Sequence, residues 1–244
     1  MDPAYAHQYQ ALYERHWWWR AREQLILATL RRHRPVRGWG RILDVGCGAG
    51  LLFERLAELG DVEGVEADPL LAAAAGKHRD RIHVGPFDAS FQPQTRYSLV
   101  LMLDVIEHLP DPVAAVAQAV RLLEADGIVV ATVPAFRVLW TAHDVLNRHF
   151  TRFTKRSFRA VAHAAGLDVL RARYCFHWLF PAKLAVRLAE ACIRPVPAPP
   201  RVPPPALNAL LYGVSRLEQR LLTPLPMPFG SSLLVVGRRP GITK

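Results

Sequence analysis

Cysteine is scarce. The 244 residues hold three (Cys47, Cys175 and Cys192), far apart and without a C-x-x-C pair. That excludes a disulfide framework and suits a reducing compartment, so a cytoplasmic location is expected. Lysine is scarce too, since nearly all of the 31 basic residues are arginine. Acids run out along the chain: residues 1–147 carry 15 basic and 18 acidic side chains, residues 148–244 carry 16 and 3. The formal charge of +10 therefore belongs to the second part. Such asymmetry suggests nucleic acid, an anionic membrane surface or an anionic substrate as partner. Long apolar runs are missing as well. The longest uncharged stretch, Leu221 to Gly237, is broken by Pro224, Pro226 and Pro228 and falls short of a span. Met1 to Arg22 is polar and aromatic, unlike a signal peptide. No internal repeat occurs.

What is present suits one α/β domain with additions: 51% of residues are hydrophobic, enough for a sizeable core. Residues 1–39 read as a helical cap. From residue 40 to 174, short apolar runs alternate with helical patterns. Strands are expected at 41–45, 62–66, 82–84, 98–103, 127–133 and 167–174, with helices at 51–59, 69–76, 112–124 and 155–165. Asp111 and Thr154 are placed to cap the last two helices. Ser98–Leu103 has almost no polar break, as expected for a strand buried on both faces. The alternation implies a doubly wound, Rossmann-like sheet of seven strands, mostly parallel. Its last strand, within 231–244, is expected to run antiparallel. Before it, residues 175–230 form a helical, proline-rich insertion, with seven prolines from Pro195 to Pro205. There Leu207, Leu210, Leu211, Val214, Leu217, Leu221 and Leu222 share one helix face.

The first strand runs into Asp44-Val-Gly-Cys-Gly-Ala-Gly50. Glycines after a strand let the backbone turn sharply and approach a ligand closely. A dinucleotide fingerprint would place its third glycine at 51, where leucine stands. The second strand ends at Glu66, 22 residues after Asp44, where an acid can accept from both ribose hydroxyls. Strand, glycine loop, helix, strand and acid in this order form a strong combination.

With Asp104-Val-Ile-Glu-His-Leu109, these segments resemble the class I S-adenosylmethionine-dependent methyltransferases. Within them, they resemble the small-molecule branch that includes the ubiquinone-biosynthesis O-methyltransferases. The resemblance covers roughly residues 40–175 and implies S-adenosylmethionine as cofactor. It implies that Asp44, Gly46, Cys47, Gly48 and Gly50 lie near the methionine moiety and that Glu66, with Ala67, meets the ribose. Asp88 and Ala89 would edge the adenine, and Leu103 and Asp104 would stand beside the methyl donor. In the resembling families an arginine before the core can meet the methionine carboxylate, which makes Arg20 and Arg22 candidates. One departure is Tyr97-Ser98, where the family usually has an aromatic-Asp pair.

Methyl transfer is an in-line displacement that needs the nucleophile aligned and, for a hydroxyl, its proton removed. His108 is the first base candidate, and Glu107 is read as orienting a neighbour or closing the site. After the fifth strand stand His143, Asp144, His149 and Arg152, in a stretch without periodicity on the expected substrate side. His143 with Asp144 offers a second base. His149 and Arg152 are read as substrate contacts, with a polar network that pins the loop as the competing reading. Two histidines and one Asp lack a third well-spaced ligand, so no metal is expected.

The cationic, apolar segments at 176–187 and 207–222 fit a peripheral contact with anionic membrane on its inner face, or a lid packed on the core. A nucleic-acid substrate is less favoured, because an Asn/Asp-Pro-Pro-aromatic motif or a Pro-Cys nucleophile is missing and Leu103-Asp-Val-Ile106 stands there instead. A non-catalytic binding module is less favoured because the cofactor motif is intact. The expected activity is methyl transfer to a small-molecule or lipid-like acceptor, at oxygen.

Overall fold

The computed structural model describes residues 3–192, 200–223 and 225–240. Residues 193–199, most of the proline-rich stretch, lie outside them. Two helices open the chain, α1 (Pro3–Arg15) and α2 (Trp17–Arg32). They break at His16, whose Nδ1 accepts from the Trp18 N–H at 3.1 Å and caps α2.

The α/β part follows as β1 (Arg41–Val45), α3 (Phe53–Ala57), β2 (Asp61–Glu66), α4 (Pro69–Ala73), β3 (Ile82–Val84), β4 (Tyr97–Leu103), α5 (Pro112–Leu122) and β5 (Leu123–Pro134). Next come α6 (Ala142–Leu146), α7 (Lys155–Ala164), β6 (Asp168–Cys175), α8 (Leu179–Cys192), α9 (Pro205–Leu222) and β7 (Ser232–Arg238). The seven strands lie in the order β3-β2-β1-β4-β5-β7-β6. β1 to β5 pair in parallel, and β7 runs antiparallel between β5 and β6.

β4 shows why its apolar run has no break. Leu99 and Leu101 pack on the side holding Leu25, Ile26 and Leu30 of α2. Val100 and Met102 pack on the side holding Val116, Ala119 and Phe158 of α5 and α7. Successive strand residues point to opposite faces, so a strand covered twice must be apolar throughout. The expected caps form: Asp111 accepts from Ala114 N–H and Thr154 from Ser157 N–H.

Two expectations are corrected. β5 starts at Leu123, inside the expected helix, because Leu123 pairs with Tyr97 before an irregularity resets the register. The second concerns the lid reading of 207–222: most of the leucine face of α9 turns outward rather than onto the core. Leu207, Leu210, Val214, Leu217 and Leu221 are exposed, and the opposite, more polar side packs on the protein. There Asn208 accepts from the Trp17 N–H and donates to Arg15 O, at 2.9 and 2.8 Å, and Gln219 donates to Ala21 O at 2.9 Å. Ser215, fully buried, accepts from the Trp178 indole N–H.

Candidate active site

Parallel strands β1, β2, β3 and β4 end along one edge of the sheet, where open α/β sheets bind ligands. Gly46, Gly48 and Gly50 all have positive φ (66°, 57° and 66°). A side chain at 46 would meet Val105 Cγ2 at 2.6 Å, whereas one at 48 would meet nothing within 4 Å. Gly46 thus permits packing, and Gly48 leaves an open ledge. Glu66 holds that ledge in place. Its Oε2 accepts from Gly48 N–H and its Oε1 from Asp68 N–H, both at 2.8 Å. Each carboxylate oxygen keeps a second lone pair for a ribose hydroxyl. Ala67, Asp88 and Ala89 are exposed beyond β2 and β3, outside the main cavity lining. Asp88 is tied to Ser90 there.

The cavity is lined by Asp44, Gly46, Cys47, Leu103, Asp104 and Glu107 from β1, β4 and the turns that follow them. Burial pushes Asp44 up to about 7, although Arg22 pulls it down and Glu66 adds to the rise. Cys47 is buried and its thiol raised by desolvation, so it is no nucleophile. This acidic floor and open ledge fit a sulfonium-bearing nucleoside: the carboxylates suit a cation, and the ledge has room for backbone contact.

Arg20 is corrected. It is exposed and stacks over Tyr212, at 4.5 Å from the ring centroid. Arg22, two residues further along α2, is the one of the two candidates that lines this cavity. Its Nε lies 2.7 Å from Asp104 Oδ2, and Thr132 donates to Asp104 Oδ1. Asp104 itself has φ 57°, Phe136 56° and Phe176 57°. These three left-handed, non-glycine residues stand just past the carboxyl ends of β4, β5 and β6, where strain concentrates at functional sites.

Residues 141–153 contribute a further wall of the cavity. Asp144, fully buried, is its anchor. Arg152 donates to both its oxygens at 2.8 Å and to Ala135 O, and His149 Nδ1 lies 2.8 Å from Oδ1. Burial alone would raise the Asp144 pKa, but His149 and Arg152 outweigh it and hold the carboxyl well below its usual range. The two readings of this loop thus merge. Asp144 does not line the cavity, so it is a positioning residue rather than a catalytic one, and the Arg152 guanidinium is spent on Asp144 and Ala135. His149, His143, His108 and Arg152 do line it.

An ionised carboxylate only accepts, so His149 carries its hydrogen on Nδ1 and leaves Nε2 free to accept. The His108 ring stands edge-on to it, centroids 4.7 Å apart, and desolvation lowers the His108 pKa. His143 Nε2 is engaged by Asn147 at 2.9 Å. Glu107 is 1% exposed, its Oε2 finds no hydrogen-bond partner among the described residues, and desolvation raises its pKa. Glu107, His108 and His149 offer atoms within 4.8 Å of one another, a set that could also hold a cation. The spacing around His143 and Asp144 did not reveal that grouping. Lys183 of α8 was missed as well. Its helix reads as an amphipathic segment, yet the side chain lines the cavity.

The model of a methyltransferase-domain family matches residues 5–172. The ubiquinone biosynthesis O-methyltransferase of Rhodopseudomonas palustris strain HaA2 is 32% identical over 146 residues, covering 57% of this chain and 48% of that protein. That of Azorhizobium caulinodans is 33% identical over 156 residues, covering 61% and 52%. The chain spans about half the length of these relatives. Among solved structures, a TehB-like methyltransferase from Corynebacterium glutamicum superposes with a TM-score of 0.57 at 20% identity, covering 98% of this chain and 100% of that one. One from Archaeoglobus fulgidus gives 0.55 at 15%, covering 88% and 93%. The family model, the curated relatives and the sheet order agree, and the chain belongs to the methyltransferase-domain family, with the fold of the class I S-adenosylmethionine-dependent methyltransferases.

Proposed function

We propose that the chain transfers a methyl group to a hydroxyl of a small or lipid-like acceptor, with His149 as general base. The observation that carries this is the Asp144–His149 pair beside Glu107 and His108. Of the cavity histidines among the described residues, His149 alone has a carboxylate on one ring nitrogen. His108 and His143, the bases expected from sequence, lack that orienting partner. The name of the curated relatives supports oxygen as the acceptor atom. When bound, the donor supplies an electrophilic methyl, and the electrons of its C–S bond return to sulfur. As the acceptor oxygen forms its bond to carbon, Nε2 of His149 takes the hydroxyl proton, and Asp144 stabilises the imidazolium. Asp44, Asp104 and Glu107 line the cavity that would hold the sulfonium end, and the Gly48 ledge and Glu66 would hold the ribose.

The test uses labelled S-adenosylmethionine with a metabolite extract. His149→Ala should cut label transfer by about 10²–10³-fold, with S-adenosylhomocysteine affinity unchanged by calorimetry. Equal losses in both would make His149 structural.

A contact with anionic membrane is supported by α9. Its exposed stripe runs from 39% (Val214) to 62% (Leu210) accessible. Nearby acids are turned inward: Glu190 accepts from Ala142 N–H and Glu218 from Trp178 N–H. Arg187, Arg201 and Arg220 are exposed. Apolar stripe and cations together suit a lipid interface. No helix among the described residues is long and apolar enough to cross a membrane. The protein should sediment with phosphatidylserine-containing vesicles at physiological salt and not with phosphatidylcholine alone. Leu210→Asp with Leu217→Asp should abolish that binding, and wild-type protein left in the supernatant would refute the contact.

A further inference from the structure

Most charged groups of the cavity are already matched. Arg22 pairs with Asp104, Arg152 and His149 with Asp144, and His143 with Asn147. Among the cationic side chains of the cavity that are described, Lys183 is the exception. Its ammonium has no carboxylate within 4.0 Å and no hydrogen bond among the described residues. It is partly buried in the same wall as His143, His149 and Arg152. A flexible lysine gains nothing by pointing into a confined wall beside a guanidinium. An anion placed there would repay the desolvation.

We infer that Lys183 anchors an oxyanion of the acceptor, so that the molecule methylated carries a carboxylate or phosphate group away from the reacting hydroxyl. This deepens the reading of a hydroxyl acceptor and rests on it. The anchor comes from α8, after β6, whereas the base comes from the loop after β5. The acceptor is then held from two elements at once, which fixes orientation as well as position. The surroundings agree. Burial lowers the Lys183 pKa to about 8, Arg152 lowers it further, and Asp144 and Asp104 oppose the fall. A bound anion would push it back up.

The experiment uses benzoate, phenyl phosphate and neutral benzamide as probes on protein saturated with S-adenosylhomocysteine, followed by calorimetry. One of the two anions should bind about tenfold more tightly than benzamide, and the better one names the acceptor's charged group. Near pH 8 its binding should take up protons, seen as a dependence on buffer ionisation heat. Lys183→Met should remove both the preference and the proton uptake, and Lys183→Arg should keep the preference. Equal affinities for all three probes, no binding of either anion, or a preference that survives Lys183→Met would overturn the anchor. Failure of S-adenosylhomocysteine itself to bind would instead refute the methyl-transfer reading.

Discussion

Gly48→Arg should lower S-adenosylhomocysteine affinity by at least about 100-fold, roughly 2.7 kcal/mol, while the protein stays folded. The reason is the open ledge. No atom lies within 4 Å of a Cβ added there, so the arginine side chain starts out into open space and is expected to occupy the ligand's. Its left-handed φ of 57° costs only about 1 kcal/mol for a residue with a Cβ. Gly46→Ala is the opposite case. Its methyl would stand 2.6 Å from Val105, at φ 66°, and should cost about 2–3 kcal/mol of stability. Calorimetry and thermal melts on both variants separate the two roles. Unchanged affinity in Gly48→Arg would remove the cofactor from this loop.

Asp144→Ala should destabilise the fold by about 3–5 kcal/mol, because it strands a buried guanidinium. At this size that is a fall in Tm of roughly 10 °C. Arg152 has a side chain 1% exposed and makes both its carboxylate bonds to this one residue. The pH dependence has a definite sign. A carboxyl whose pKa is depressed by folding stabilises the protein above its unfolded pKa of about 4. That contribution drains away as pH falls toward the lower, folded value. Wild-type stability should therefore drop steeply in acid, and the variant's acid limb should be flatter. Urea melts between neutrality and about pH 3 measure this. A loss below about 1 kcal/mol would mean that water or the loop replaces Asp144.

The sheet was legible because its signals are local. Runs such as Ser98–Leu103 and the spacing from Asp44 to Glu66 depend on strand geometry alone. The cofactor loop was legible for the same reason. Facing direction was not. Arg20 and Arg22 are two residues apart on one helix, and only tertiary contacts, Tyr212 on Arg20 and Asp104 on Arg22, decide which one turns to the cavity. The α9 leucines share a face that suits either a lid or an outward surface, and what decides between them is Asn208, Ser215 and Gln219, which fix the other face inward. The loop after β5 showed its residue types but not its division of labour. Asp144 is fully buried only because Arg152, eight residues on, folds back onto it. Lys183 carried no signal, since nothing in its own segment says what the helix leans against.

The bonds from α9 to the helical break at His16 set an order of assembly. Asn208 reaches back 191 residues to Trp17 and 193 to Arg15, and Gln219 reaches back 198 to Ala21. During synthesis α1 and α2 emerge well before these partners. Until then α2, which carries Arg22, lacks its α9 clasp. The sheet strands β1 to β5 can pair earlier over shorter loops. The wall that carries Arg22 is thus latched by a segment almost two hundred residues further on, and a ribosome stalled before residue 205 would hold the β1–β5 strands without β7 between β5 and β6 and without the α9 latch.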